Sequence, residues 1–172
     1  MMLSLIGYRA TGKTTLGQKL ARRLDYSFKD SDVEIEKLAG KSISKIFSED
    51  GEPRFRDLEE KVIEELCREE RIVLATGGGA IMRQATRDRL RSAGTIIWLT
   101  ASPETILSRI QGDARTAQTR PNLTAQGGLE EIIQILSARE PFYRQLAEMT
   151  VSTENASLDE LVETIMKITA DK

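Results

Sequence analysis

A glycine-rich segment near the N-terminus has the residue types that hold a nucleotide phosphate. Gly7-Tyr8-Arg9-Ala10-Thr11-Gly12-Lys13-Thr14 fits the pattern of a glycine, any four residues, then Gly-Lys and Ser or Thr. In such a loop the backbone N–H groups converge on phosphate oxygens, the lysine reaches the β and γ groups, and the last hydroxyl binds Mg²⁺. The segment therefore predicts ATP and Mg²⁺ as ligands. The residues predicted to contact the nucleotide are Gly7, Ala10, Thr11, Gly12, Lys13, Thr14 and Thr15, with Thr14 also on the metal.

Two aspartates stand at the end of the second predicted strand, Ser27–Asp30. Because ligands bind beyond the carboxyl ends of parallel strands, Asp30 and Asp32 are expected to point into the same crevice as the phosphate loop. The third predicted strand, Ile72–Ala75, is followed by no acidic residue. We therefore expect Asp30 to hold Mg²⁺ through water and Asp32 to accept a hydrogen bond from the acceptor hydroxyl. Alternatively, the pair only caps the helix that follows.

Other polar residues are ambiguous from their spacing alone. Gly77, Gly78 and Gly79 follow the third strand, where their N–H groups could bind an anionic or hydroxylated acceptor, or could form only a flexible connection. Arg56 and Arg139 have the appearance of ordinary surface arginines. Arg9 either adds charge near the phosphates or is a solvated loop residue.

Strands alternating with helical patterns must position these groups. Apolar runs indicate five strands: Met2–Ile6, Ser27–Asp30, Ile72–Ala75, residues 95–99 and Met149–Ser152. The segments between them repeat apolar residues at helical spacing, except residues 111–128, which are predicted to form a mobile loop. The alternation favours an α/β fold with three layers, α/β/α, around a five-stranded parallel sheet.

Length and composition restrict the function. The 172 residues suit one domain, and one cysteine with no histidine excludes an intramolecular disulfide, the common zinc sites and Ser/His hydrolysis. A formal net charge of −2 provides no basic field for nucleic acid. The first apolar stretch runs directly into the glycine loop, unlike a signal peptide. We expect a cytoplasmic monomer with a small-molecule substrate and with no nucleic-acid or membrane partner.

Six segments of the chain, in order, resemble the shikimate kinase family, and the resemblance spans nearly the whole length. The phosphate loop is the most specific of them. The six are Gly7 to Thr14, Phe28-Lys29-Asp30-Ser31-Asp32, Gly51-Glu52 with Phe55-Arg56 and Glu59-Glu60, Gly77-Gly78-Gly79-Ala80, Arg120-Pro121, and Arg139-Glu140-Pro141-Phe142-Tyr143.

The resemblance implies transfer of the γ-phosphate of MgATP to the 3-hydroxyl of shikimate, in the route to chorismate and the aromatic amino acids. It implies a P-loop kinase fold with a lid, about residues 111–126, and a substrate-binding region, about residues 31–60. Lys13, Asp32 and Arg120 would be catalytic, Arg120 as the lid arginine that also contacts ATP. Of the other matched positions, Arg56 and Arg139 would bind the substrate carboxylate, and Arg109 would lie near the adenine. Gly77, Gly78 and Gly79 would contact the far side of the substrate.

The predicted lid departs from the family pattern, because it is longer than usual and Asn122-Leu123-Thr124 stands in place of two leucines. Arg115 is therefore a rival to Arg120. Two other functions remain open: a gluconate-type or nucleoside-monophosphate kinase of the same fold, and a non-catalytic ATP-binding regulator. The carboxylate-binding arginines oppose the first, and the complete set of polar positions opposes the second.

Overall fold

The computed structural model describes residues 1–112 and 127–170, in which five parallel strands form one sheet. The central strand is the short apolar run that precedes the glycine loop. The strands are β1 (Met2–Ile6), β2 (Ser27–Asp30), β3 (Ile72–Ala75), β4 (Gly94–Thr100) and β5 (Met149–Ser152), in the spatial order β2-β3-β1-β4-β5.

Helices connect the strands. They are α1 (Lys13–Leu24), α2 (Ser31–Ala39), α3 (Ile43–Lys45), α4 (Gly51–Leu66), α5 (Gln84–Ala93), α6 (Pro103–Gly112), α7 (Gly128–Leu146) and α8 (Leu158–Ala170), with a π-helical turn at Ile46–Asp50 and a 3₁₀ turn at Ala80–Met82. A capping box opens α8: the Ser157 N–H donates to Glu160, and the Glu160 N–H donates to the Ser157 hydroxyl. Among the described helices, none combines the length and apolarity needed to cross a membrane.

Alternate residues of β1 enter separate cores on the two faces of the sheet. Leu3 and Leu5 pack in one core with residues of α1 and α8. Met2 and Ile6 pack in the other, with residues of α4, α5 and α7. A strand buried on both faces is expected to be largely apolar, as this one is apart from the buried Ser4. The α/β/α layering predicted from the sequence is therefore confirmed.

The helical spacing of apolar residues over 42–47 predicts a regular α-helix there, and this prediction is wrong in type. One α-helical turn, Ile43–Lys45, passes into the π-helical turn Ile46–Asp50, which ends at Gly51. Gly51 has φ +82°, a left-handed value that favours glycine, and its N–H donates to the Ile46 carbonyl. The extra residue in this turn could not be inferred from apolar spacing.

The predicted loop over residues 111–128 is also wrong at both ends. Helix α6 continues to Gly112, and α7 already begins at Gly128. The predictions for Arg115, Arg120 and most of the lid fall on residues 113–126, outside the described residues.

Gly94→Ala is predicted to destabilise the sheet strongly, whereas Gly112→Ala is a matched control. Gly94 pairs with Met2 in the β1–β4 ladder, and a Cβ there would lie 2.1 Å from the Met2 carbonyl oxygen. Because backbone atoms on both sides cannot move without breaking the ladder, we expect a loss of about 3 kcal/mol in the free energy of unfolding. Gly112 is helical, and no described residue lies within 4 Å of a Cβ added there, so its stability should change by at most about 1 kcal/mol.

Urea unfolding of both variants measures the difference. Similar stability losses for Gly94→Ala and Gly112→Ala would contradict the proposed clash.

Candidate active site

The glycine loop leaves β1 and passes into α1 in a conformation held by its own contacts. The Lys13 ammonium donates to the carbonyl oxygens of Gly7 and Tyr8, at 2.8 and 2.6 Å. The Thr11 hydroxyl donates to the same Tyr8 carbonyl at 2.8 Å. A Cβ at Gly7 would lie 2.4 Å from the Leu99 carbonyl oxygen, so only glycine lets the loop lie against β4. The loop is thus held in shape by contacts among its own residues and with β4.

A cavity of about 510 Å³ lies between this loop and the segment after β5. Its phosphate-loop end is lined by Gly12, Lys13 and Thr14, and its other end by Arg109 and Thr153. Most of the residues predicted to contact the nucleotide therefore line one cavity. They are Ala10, Gly12, Lys13, Thr14, Thr15 and Arg109, whereas Gly7 and Thr11 make the internal contacts described above.

Asp30 and Thr14 lie side by side in this cavity. The Thr14 hydroxyl donates to Oδ2 of Asp30 at 3.0 Å. The other oxygen, Oδ1, accepts from the Asp32 N–H at 3.0 Å and caps α2, so the capping interpretation of Asp30 is confirmed. Within residues 1–112 and 127–170, no group of three or more His, Cys, Asp or Glu residues could hold a metal ion. The two oxygen donors suit Mg²⁺, which takes few protein ligands and completes its shell with phosphate and water.

A second cavity, of about 80 Å³, adjoins the first. Every residue that the sequence predicted on the acceptor side lines it: Asp32, Arg56, Gly77, Gly78, Gly79 and Arg139. Its apolar wall is formed by Ile43, Phe47 and Phe55. Asp32 and Arg9 line both cavities, so these two residues stand where the cavities meet.

Arg56 is not an ordinary surface arginine, since its side chain is only 15% exposed. Its guanidinium donates to Glu59 at 2.6 Å and contacts Glu52 at 3.3 Å. It also packs on the backbone of Gly79, where a Cβ would lie 2.5 Å from Nη2. The carboxylates of Glu52 and Glu59 and the backbone of Gly79 therefore fix the orientation of the Arg56 guanidinium.

Glu59 is a site residue to which sequence reasoning assigned no role. It is 3% exposed, and its Oε1 has no hydrogen-bond partner among the described residues. Burial raises the pKa of its carboxyl group, against the opposing effect of Arg56, and the nearby Asp32 raises it further. The i, i+3 spacing from Arg56 on a helix was the signal that could have indicated the pair.

Side chains hold the glycine run from both sides. The Gly77 N–H donates to the Ser31 hydroxyl at 2.9 Å, so this donor is already engaged. The carbonyl of Gly78 accepts from the Tyr143 hydroxyl. The alternative of a flexible connection is therefore wrong. Neither Ser31 nor Tyr143 carries a local sequence signal for this role.

The first residues of the loop are tied to α7. Arg9 is 12% exposed and pairs at 3.1 Å with Glu131, a carboxylate that is 1% exposed, so the solvated-loop interpretation of Arg9 is wrong. Arg139, on the same helix, lies 5.9 Å from the centre of the Tyr8 ring. Helix α7 therefore contributes to both the loop and the second cavity.

Comparison with known proteins agrees with this arrangement. The model of the shikimate kinase family matches residues 9–170. The chain is 41% identical over 165 residues to a shikimate kinase of Rhodopirellula baltica, covering 96% of this chain and 88% of that protein. It is 43% identical over 165 residues to one of Neisseria meningitidis serogroup C, covering 96% and 94%.

Solved structures agree as well. The shikimate kinase from Acinetobacter baumannii in complex with shikimate superposes with a TM-score of 0.91 at 35% identity, covering 99% of this chain and 93% of that one. A gluconokinase from Sinorhizobium meliloti superposes with a TM-score of 0.63 at 17% identity, covering 99% and 91%. The second likeness shows a common fold alone.

The buried carboxyl of Glu59 leads to a pH-dependent prediction. Because its folded pKa lies above the unfolded value of about 4.3, the folded state binds more protons between these values, and stability is lost as the pH rises through the folded pKa. Glu59→Gln cannot titrate. We therefore expect the free energy of unfolding of the wild type, minus that of the variant, to increase as the pH falls from about 7 to about 5.

Urea unfolding of both proteins at the two pH values provides the measurement. An identical difference at both values, or one that shrinks at the lower pH, would show that burial does not raise this pKa.

Proposed function

The chain belongs to the shikimate kinase family, and we propose that its two adjoining cavities are where the γ-phosphate of MgATP passes to the 3-hydroxyl of shikimate. The product is shikimate 3-phosphate, in the route to chorismate and the aromatic amino acids. One observation carries the proposal for the site: Asp32 lines both cavities. A carboxylate at that junction can touch an acceptor hydroxyl and face the phosphate loop at once.

On the nucleotide side, the phosphates take the cradle formed by residues 7–14. The Lys13 ammonium, which rests on loop carbonyls 2.6 and 2.8 Å away, can turn from them to the β- and γ-phosphate oxygens. Thr14 and, through water, Asp30 would hold Mg²⁺. When bound, Mg²⁺ neutralises charge on the phosphate oxygens.

On the acceptor side, the guanidinium groups of Arg56 and Arg139 bind the carboxylate of shikimate, a role suited to a planar, permanently charged fork. Asp32 accepts the hydrogen bond of the attacking hydroxyl and orients it. Gly78 and Gly79 present backbone close to the ligand. Transfer then proceeds by positioning and charge neutralisation, with no covalent enzyme intermediate.

The remaining assignments follow from the family resemblance. Arg120 is proposed as the lid arginine, with Arg115 as its rival. We also propose that the enzyme works as a cytoplasmic monomer, since one chain lines both cavities and its substrates are small molecules. Size-exclusion chromatography with light scattering would reveal a dimer.

An assay of ADP release with shikimate, quinate and gluconate as alternative acceptors tests the function directly. We expect turnover with shikimate to exceed that with the other two. Preferential turnover of gluconate would favour the gluconate-type alternative. ATP binding with no ADP release from any acceptor would favour the non-catalytic regulator.

Asp32→Asn is predicted to lower kcat with shikimate by about 100-fold or more, because the neutral amide is a far weaker acceptor for the hydroxyl proton. The measurement is steady-state ADP release at saturating MgATP and shikimate. Asp88→Asn is the matched control, since within the described residues Asp88 bonds only to residues of its own helix, α5. Full turnover by Asp32→Asn would remove Asp32 from the mechanism.

Arg139→Ala is predicted to raise the KM for shikimate about tenfold or more while the KM for ATP changes little. Hydrogen bonds to charged groups contribute about 1.5–3 kcal/mol, and about 1.4 kcal/mol corresponds to a factor of ten. Arg144→Ala on the same helix is the control, because its exposed side chain pairs with Glu140 outside both cavities. An equal rise in the KM for ATP would contradict a role confined to the acceptor.

A further inference from the structure

One side of the larger cavity is formed by the segment of residues 153–156, which follows β5. Thr153 and Ala156 line the cavity there, beside Leu158 and Leu161 from α8. In the proposed function the phosphates bind at the glycine loop, so we expect the nucleoside to lie against this side, where Ala156, Leu158 and Leu161 provide apolar surface. The position of residues 153–156 therefore decides whether the cavity fits the base.

Glu154 ties this segment to the start of α6. Its Oε1 accepts from the Ser102 N–H at 3.1 Å, the Ser102 hydroxyl at 2.6 Å and the Thr105 hydroxyl at 2.5 Å. These hydrogen bonds lower the pKa of Glu154 to about 2, so the carboxylate is charged at any working pH. The positive end of α6 further favours an anion here.

Capping of α6 does not account for Glu154. The helix has its own cap, because the Ser102 hydroxyl accepts from the Thr105 N–H at 3.2 Å. The carboxylate reaches the same two residues from a segment about 50 positions later in the chain, with 52 separating it from Ser102. Its contribution is a tether between α6 and the segment after β5.

The same helix is also tied to the phosphate loop. Arg109, one turn after Thr105, donates to the Thr153 hydroxyl and carbonyl, each at 3.0 Å. It donates as well to the Ala10 carbonyl at 3.2 Å. Helix α6 therefore contacts both the phosphate loop and residues 153–156. It contacts residues 153–156 through the hydrogen bonds of Glu154 and of Arg109.

We propose that Glu154 is a positioning residue for the nucleoside half of ATP, holding residues 153–156 at the distance from the phosphate loop that the base requires. The inference rests on the proposed function, in which this cavity binds ATP. Loss of the tether leaves the internal contacts of the phosphate loop in place. It also leaves the second cavity untouched, since neither Glu154 nor its partners line it.

The test compares two ligands that share phosphates but differ in the nucleoside: ADP and inorganic tripolyphosphate, each with Mg²⁺. Calorimetric titration of Glu154→Ala should show ADP binding weakened about tenfold, as expected for lost hydrogen bonds to a charged group, with tripolyphosphate binding unchanged. Glu154→Gln should weaken ADP binding by a smaller factor and should also leave tripolyphosphate binding unchanged. In turnover, the KM for ATP should rise while the KM for shikimate stays the same.

Glu163→Ala is the matched control, because this α8 carboxylate forms an exposed ion pair with Arg23 away from the cavity. ADP binding unchanged in the Glu154 variants, or an equal loss for ADP and tripolyphosphate, overturns the proposal. If thermal unfolding shows that Glu154→Ala is not folded, the binding of ADP and tripolyphosphate to Glu154→Gln decides the test. A wild type that binds ADP but phosphorylates no shikimate would overturn the proposed function and leave the tether testable.

Discussion

The parallel register of β1, β3 and β2 is the constraint on which the site depends. In this register Leu5 lies opposite Ala75, and Ala75 lies opposite Asp30. The residues that follow each strand therefore leave the sheet at one level, and they carry the glycine loop, the glycine run and the two aspartates. A slip of one residue in β2 would turn its side chains to the opposite face and separate Asp30 from Thr14. Phe28 of β2, which packs against the core that contains Leu3 and Leu5, opposes such a slip.

Around this edge, arginines are held in place by carboxylates that are themselves buried. Glu59 fixes Arg56, and Glu131 fixes Arg9. Burying such pairs contributes little net stability, since desolvation offsets much of the attraction. What the pairs provide is direction, because a guanidinium held on one side presents its remaining donors along a defined line. A small anionic ligand can then bind without the cost of ordering long side chains.

Residues with local signals were predictable from the sequence, whereas residues defined by distant contacts were not. The strand ends, the phosphate loop and Asp32 follow from apolar runs, glycine spacing and the rule for parallel sheets. The capping role of Asp30 was left open because the same side chain could equally serve a metal; its two oxygens contact the α2 backbone and Thr14 separately. Arg56 and Arg139 were ambiguous until the family resemblance was considered, since their burial depends on the packing of α4 and α7. Glu131, Ser31 and Tyr143 act through partners 46 to 122 positions away, which no local pattern indicates.

The two cavities differ in how their walls are built, and the difference bears on function. The second cavity is small, and two of its arginines, Arg9 and Arg56, are held in ion pairs with buried carboxylates. The first cavity is larger and is assembled from segments far apart in sequence, joined through α6 and through Thr100 at the end of β4. Arg109 of α6 donates both to the Ala10 carbonyl of the phosphate loop and to the Thr153 carbonyl. The Thr153 N–H also donates to the Thr100 carbonyl at the end of β4, the strand that pairs with β1. The phosphate loop and residues 153–156 are therefore coupled both through a helix and through the sheet.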